Sequence, residues 1–215
     1  LALARERIPF EVVPGVSSAL AVPAYAGIPV SFRGMSSSFT VVTGHEDADK
    51  KKPAVDWERL GPGGETRVFL MAVANLEQIA GRLMENGRPS SCPAALISQG
   101  TTGCQRTIVG SLDRIAGLAR AERISPPAVL VVGEVVRCRD ELRWFDRKSL
   151  FGRTILVTRA VHQAGELSRL LLRAGAIPVE MPVIQIAPLD DFDAFDRIVR
   201  ALAEFHWIVF TSLNG

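Results

Sequence analysis

A chain of 215 residues, 47% hydrophobic and 22% charged, is ordinary globular stock, long enough for one large core or two small ones. Its formal net charge of +2 gives no reason to invoke nucleic acid, and no apolar run approaches the roughly 18–20 residues of a spanning helix. Three widely spaced cysteines, Cys92, Cys104 and Cys138, offer neither a disulfide framework nor a metal cluster, so no metal is expected and a reducing cytoplasm fits best.

LALARERIPF reads as the tail of a helix entering a strand-like run, Phe10, Val12 and Val13. Pro14-Gly15 turns the chain, and Ser17-Ser18 opens a small-residue helix from Ala19 to Ala26. Serines there can cap exposed N–H groups or, with those groups, hold a polar ligand. Phe39 to Thr43 is a β-branched strand ending at Gly44-His45-Glu46, where His45 reads as a loop-capping residue. Asp47 to Gly64 is a loop with a short turn near Trp57, and its Lys50-Lys51-Lys52 run reads as solvated, offset by Asp47 and Asp49. Val68 to Met71 is the next strand, and Asn75 with Gln78 suggests a capping box for a helix faced by Leu76, Ile79, Ala80 and Leu83 and stopped by Gly87.

Ala94 to Ile97 and Thr107 to Val109 are strands, Leu112, Ile115 and Leu118 stripe a helix, and Ala128 to Val132 is apolar throughout and therefore buried. Arg137 to Lys148 is charged and aperiodic, a linker anchored by Trp144-Phe145. The pattern then restarts. Thr154 to Val157, a helix striped by Leu167, Leu170 and Leu171, a strand from Ile177 to Ile186, a helix striped by Phe192, Phe195, Ile198, Val199 and Leu202, and Trp207 to Phe210 predict β-α-β-α-β, half of a doubly wound lobe. Both ends read as interrupted elements, so the chain is expected to be part of a longer protein.

Four stretches in order, VVPGVSSALAVPAYAGIPVSFRGMSSSFTVVTGHE, VFLMAVANLEQIAGRLMENG, PAALISQGTTGCQRTIVGSL and PPAVLVVGEVVRCRDELRWF, resemble the tetrapyrrole methyltransferases, specifically the S-adenosylmethionine-dependent uroporphyrinogen-III C-methyltransferases. GRTILVTRAVHQAGELSRLLLRAGAIPVEMPVIQIAP and WIVFTSLNG resemble the opening of uroporphyrinogen-III synthase. The resemblance implies an α/β architecture in which residues 1–30 end a first methylase lobe, 31–147 form the second lobe and 148–215 begin a synthase domain. It implies S-adenosyl-L-methionine as cofactor, S-adenosyl-L-homocysteine as its product, uroporphyrinogen III as methyl acceptor yielding precorrin-2, hydroxymethylbilane as substrate of the fused part, and a homodimer.

Such a C-methyltransferase asks little covalent work of side chains, because the sulfonium supplies an electrophilic methyl and an electron-rich pyrrole carbon attacks it; positioning does the rest. By resemblance, Ser17, Ser18, Met71, Ala72 and Gly100 are cofactor contacts, joined by the backbone of Pro127 and Ala128. Read as bare residues, Met71 is more often a core side chain, Gly100 usually a turn and the serines commonly a cap; the four ordered stretches are what favour the cofactor reading. Arg33 and Arg106 offer planar donor forks for substrate carboxylates, with solvated surface as the plain alternative. In the synthase resemblance Thr211 and Ser212 match a Thr-Ser contact after a strand, and Arg159 is a second contact.

Two departures from the family stand out. The usual Thr-His-Arg after Gly-Ile-Pro is Ser31-Phe32-Arg33 here, so a histidine's acid/base role has no bearer at that position. The family's Gly-rich cofactor loop and Gly-Gly-Asp motif would precede Leu1, so one wall of the active site is expected in these residues, and neither activity from them alone. The competing readings are an unrelated α/β nucleotide- or phosphate-binding protein, weakened because no G-x-G-x-x-G or G-x-x-x-x-G-K-[ST] follows a strand, and a non-catalytic α/β interaction module that keeps the fold.

Overall fold

The structure, a computed structural model, describes residues 1–44, 55–184 and 190–211. His45 and the lysine run at 50–52 lie outside the described residues.

A five-stranded sheet of β1 (Phe39–Thr43), β2 (Thr66–Leu70), β3 (Pro93–Ser98), β4 (Arg106–Ser111) and β5 (Ala128–Val132) forms the centre, in the order β1-β2-β5-β3-β4. Only β1 and β2 run parallel; the other pairings are antiparallel. Central strands buried on both faces need apolar side chains at consecutive positions, and β3 and β5 supply them. Alternation then sorts these side chains by face. Phe69, Ala94, Leu96, Leu130 and Val132 pack with α4 (Leu76–Glu85) and α5 (Ile115–Ala121), while Val68, Ala95, Ile97, Val129 and Val131 pack under α2 (Ser18–Tyr25) and a 3₁₀ turn, Glu134–Cys138.

The expected stripe of α4, Leu76, Ile79, Ala80 and Leu83, is buried. Its end is a paired turn at Gly87 (φ +94°), where Gly87 N–H donates to Met84 O and Arg88 N–H to Leu83 O. The start differs from the capping box. Asn75 makes no cap; its amide donates to Gly44 O at 2.9 Å and ties the end of β1 to the start of α4. The short helices α1 (Ala2–Arg5) and α3 (Trp57–Leu60) are further elements before β2 among the described residues.

Residues 8–16 form no strand. Phe10, Val12 and Val13 are exposed, and without a ladder partner β propensity alone does not make a strand. The expected linker at 137–148 is instead folded: α6 (Arg139–Leu142) follows the 3₁₀ turn, Phe145–Arg147 forms another, and Arg139 is buried, donating to Ala26 O and pairing with Asp146. Trp144 and Phe145 do act as anchors. Both rings meet Tyr25 at 5.1 and 4.8 Å between centroids, and Trp144 Nε1–H donates to Ala24 O.

After Phe151, whose ring meets Phe145 at 5.5 Å, β6 (Thr154–Val157), α7 (Val161–Arg173) and β7 (Ile177–Glu180) make a parallel β-α-β unit. The face of α7 turned inward carries the small residues Ala164 and Ser168, with Leu167 and Leu171 partly covered; Leu170, expected in the same stripe, is exposed because it lies off that face. β7 is shorter than expected, ending at Glu180; Met181 N–H still donates to Val157 O at 2.9 Å and Val183 N–H to Thr158 O at 3.4 Å, but the ladder goes no further among the described residues. α8 (Asp193–Arg200) has the expected apolar spacing, yet Phe192, Phe195, Ile198 and Val199 are all exposed. Trp207 to Phe210 forms no strand either, having no ladder partner among the described residues.

Candidate functional site

β2 ends at Leu70 and β3 at Ser98, while β5, antiparallel to both, begins at Ala128. Two strand ends and one strand start therefore open at the same edge of the sheet, as ligand sites of open α/β sheets do. There a cavity of about 770 Å³ has Leu70, Ile97 and Val129 as its floor. One wall is the face of α2 with Ser18, Ala21 and Val22; the others are Met71, Val73 and Ala74, the turn Gln99–Thr102, and Pro126 to Ala128.

The backbone around this cavity is unusual. Met71, Gln99 and Thr101 adopt φ of +55°, +50° and +69°. For side-chain-bearing residues, Thr101 above all, this left-handed region costs about 1–3 kcal/mol each, and such residues cluster at ligand sites. Hydrogen bonds hold the turn in place. Gln99 N–H donates to Pro127 O at 3.0 Å, Thr102 Oγ1 donates to Gln99 O at 2.7 Å, and Thr101 N–H donates to Gln105 Oε1 at 2.9 Å.

Gly100 is fixed by packing. A Cβ there would lie 2.5 Å from Val22 Cγ1 and 2.6 Å from Val22 Cγ2. The close approach that glycine permits is thus to helix α2, a departure from the ligand approach expected of it.

Among the described residues no titratable side chain lines the cavity; the polar groups they bring to it are the hydroxyls of Ser18, Thr101 and Thr102, the Gln99 amide and the backbone. That combination suits a ligand with an apolar, flat portion and hydrogen-bonding groups. Met71, 60% exposed at the rim, presents a thioether, which makes favourable contacts with aromatic faces. Elsewhere, burial raises the thiols of Cys92 and Cys138 above their ordinary range, which leaves neither poised as a nucleophile. Among the described residues no cluster of three His, Cys, Asp or Glu side chains could hold a metal ion.

Of the expected cofactor residues, the structure brings Ser18, Met71, Gly100, Pro127 and Ala128 to the cavity. Ser17 and Ala72 stand just outside. Ser17 Oγ accepts from Ala19 N–H as the helix cap, and Ala72 is fully buried under α4. Sequence reasoning missed Gln99, Thr101, Thr102 and the α2 face, although the SQGTT run around Gly100 was the available signal.

The expected acceptor residues are not gathered. Arg33 is exposed in a tight turn closed by a bridge between Phe32 and Ser36. Arg106 pairs with Glu122 at 2.8 Å on the surface and does not line the cavity. Arg159 follows β6 and is exposed; Thr211 is exposed on unpaired chain, and Ser212 lies outside the described residues.

Comparison with known proteins fits this geometry. The family model for tetrapyrrole (corrin/porphyrin) methylases matches residues 1–116, and that for uroporphyrinogen-III synthase HemD matches residues 165–215. A porphyrin biosynthesis protein HemD of Ruminiclostridium josui is 36% identical over 99% of this chain and 42% of its own length. An S-adenosyl-L-methionine-dependent uroporphyrinogen III methyltransferase of Methanosarcina barkeri is 49% identical over 65% of this chain and 55% of its own. Among solved structures, a uroporphyrin-III C-methyltransferase of Thermus thermophilus complexed with S-adenyl homocysteine is 32% identical, with a TM-score of 0.52 over 63% of this chain and 57% of that one. The chain thus spans about two-fifths to three-fifths of these relatives' lengths. With a family match over more than half its residues, and with the strand-edge cavity built inside and just beyond that span, the chain belongs to the tetrapyrrole (corrin/porphyrin) methylases, and a segment of uroporphyrinogen-III synthase type follows.

Proposed function

We propose that this chain carries the second lobe of an S-adenosylmethionine-dependent uroporphyrinogen-III C-methyltransferase, residues 31–147, flanked by the end of a first lobe at 1–30 and the start of a synthase domain at 148–215. The cavity of about 770 Å³ at the ends of β2 and β3, walled by three residues of left-handed backbone, is the observation that carries this reading. Its residues fit S-adenosylmethionine: Met71 and the apolar floor suit the adenine, and the hydroxyls of Ser18, Thr101 and Thr102 suit the polar remainder. When bound, that cofactor supplies the methyl group; the chain's own part is to orient it and keep water from it. Uroporphyrinogen III is the acceptor proposed, Arg33 and Arg106 being the candidates for its carboxylates, with Arg106 first having to leave Glu122. For the fused part the proposed substrate is hydroxymethylbilane, contacted by Arg159, Thr211 and Ser212. The three cysteines are free thiols, which suits a reducing cytoplasm.

Calorimetric titration with S-adenosylhomocysteine tests the cavity directly. Saturable binding is expected, with an approximately tenfold loss for Met71→Ala through lost contact with the adenine face. Heats indistinguishable from dilution would show that this cavity does not by itself hold the cofactor. Incubating the same 215 residues with uroporphyrinogen III and methyl-labelled cofactor is expected to leave the tetrapyrrole unlabelled, because the chain covers only part of its relatives' length. A second reading, a non-catalytic module that keeps the fold, is favoured by Phe32, exposed and unable to move a proton where the family usually has histidine. Cofactor binding without methyl transfer by a longer chain carrying the first lobe would select it.

A homodimer is also proposed. Phe32, Met35, Phe39 and Val41 are exposed on and beside the β1 edge, an apolar surface that pairing would cover. Sedimentation should show a dimer, and a monomer across the concentration range would refute this.

A further inference from the structure

Gln105 is 5% exposed and does not line the cavity, yet among the described residues it is the one side chain bonded to both of two facing walls. Its Oε1 accepts from Thr101 N–H at 2.9 Å, and its Nε2 donates to Tyr25 O at 3.4 Å. Thr101 belongs to the turn that forms one wall. Tyr25 ends α2, whose Ala21 and Val22 form the other. The two targets are opposite in character, a donor and a helix-end carbonyl, and only a side chain carrying an acceptor beside a donor satisfies both. Thr101 is β-branched at φ +69°, so its N–H direction, and with it the shape of the turn, depends on an outside partner.

We infer that Gln105 is a positioning residue for the cofactor cavity: it holds the Gln99–Thr102 turn in its left-handed form at a fixed distance from α2. This rests on the reading of the cavity as the S-adenosylmethionine site. Gly100 sets how closely the turn can approach Val22, and Gln105 sets that it stays there.

Two variants separate this role from a general contribution to folding. Gln105→Leu removes both bonds. Gln105→Glu removes one of them only when ionised, because a neutral carboxyl still accepts from Thr101 N–H and donates to Tyr25 O, whereas a carboxylate cannot donate. Burial raises the glutamate pKa, which brings the change into an accessible range. The surrounding groups do not blur it: among the described residues the cavity lining has no titratable side chain, and exposed Cys104, Arg106 paired with Glu122, and Tyr25 packed on Trp144 and Phe145 are common to the unaltered chain and both variants.

The experiment is titration of the 215-residue chain and both variants with S-adenosylhomocysteine at about pH 5.5 and about pH 8, with amide exchange at Thr101 measured without ligand. Gln105→Leu should bind about tenfold more weakly at both pH values and lose protection at the Thr101 amide. Gln105→Glu should match the unaltered chain at the lower pH and Gln105→Leu at the higher. Affinity unchanged in Gln105→Leu, a pH-independent Gln105→Glu, or an equally protected Thr101 amide would each overturn the inference. Should the unaltered chain not bind, the cofactor reading and Gln105's part in it both fall; lost Thr101 protection in Gln105→Leu would then mark the cavity assignment, and not the bonding of the turn, as the error.

Discussion

Gly100→Ala is expected to weaken S-adenosylhomocysteine binding about five- to 150-fold, from an overpacking cost of about 1–3 kcal/mol at about 1.4 kcal/mol per decade. The added methyl would sit 2.5 and 2.6 Å from the two Cγ atoms of Val22 and 3.0 Å from its Cβ. Valine in a helix has one strongly preferred rotamer, so the clash is not relieved by turning the side chain. Either α2 or the Gln99–Thr102 turn must move, and both are walls of the same cavity. Val22 is also 7% exposed in the cluster beneath α2, which resists displacement of the helix. Adding Val22→Ala to Gly100→Ala removes both Cγ atoms and should restore part of the affinity. Full binding by Gly100→Ala alone would show that the turn yields freely and that its shape does not govern the site.

How far this site was legible in the sequence depends on which force fixed each part. The strands and α4 were readable because alternation and the 3.6-residue period follow directly from burial, as at Ala128–Val132 and at Leu76, Ile79, Ala80 and Leu83. Met71, Gly100 and Ser18 were reached through resemblance, since nothing in a lone methionine or glycine distinguishes a ligand contact from a core or turn residue. Gln105 was not legible at all. Its role comes from two backbone groups that folding brings together from positions 25 and 101, and no local pattern encodes such a meeting. Asn75 shows the converse: its spacing to Gln78 fits a capping box, but the amide found a better partner across the sheet in Gly44 O. Phe10, Val12, Val13 and Trp207 to Phe210 have strand composition without strand structure, because a strand exists only by pairing and composition does not name the partner.

Arg67→Met is expected to destabilise the fold by about 3–5 kcal/mol, the range for breaking a buried charge network by removing one member. The residue is 2% exposed on β2, between β1 and β5, and its guanidinium makes five hydrogen bonds. Three go to carbonyls, Arg59 O, Leu60 O and Pro62 O, which α3 and the loop after it leave without helical partners. The others reach Thr40 Oγ1 and Glu65. Buried ion pairs can often be exchanged for apolar side chains at little cost, but only when both sides change, and backbone carbonyls cannot be changed. Methionine retains the packing of the stem, so the loss reports the bonds. Arg67→Lys should recover little of it, since a single ammonium cannot reach carbonyls spread around a planar fork. Acid sensitivity gives a second readout. The Ser38 hydroxyl first, and then Arg67, hold the half-exposed Glu65 carboxyl below its ordinary pKa. A carboxyl depressed in the folded state adds stability above its unfolded pKa, and that stability is lost as pH falls through the folded value. Arg67→Met removes the guanidinium's part and leaves that of Ser38, so the variant's urea midpoint should fall less steeply on acidification while lying lower at neutral pH. A midpoint at neutral pH equal to that of the unaltered chain would mean that water or loop rearrangement satisfies the carbonyls, and that the 59–65 segment is not held through Arg67.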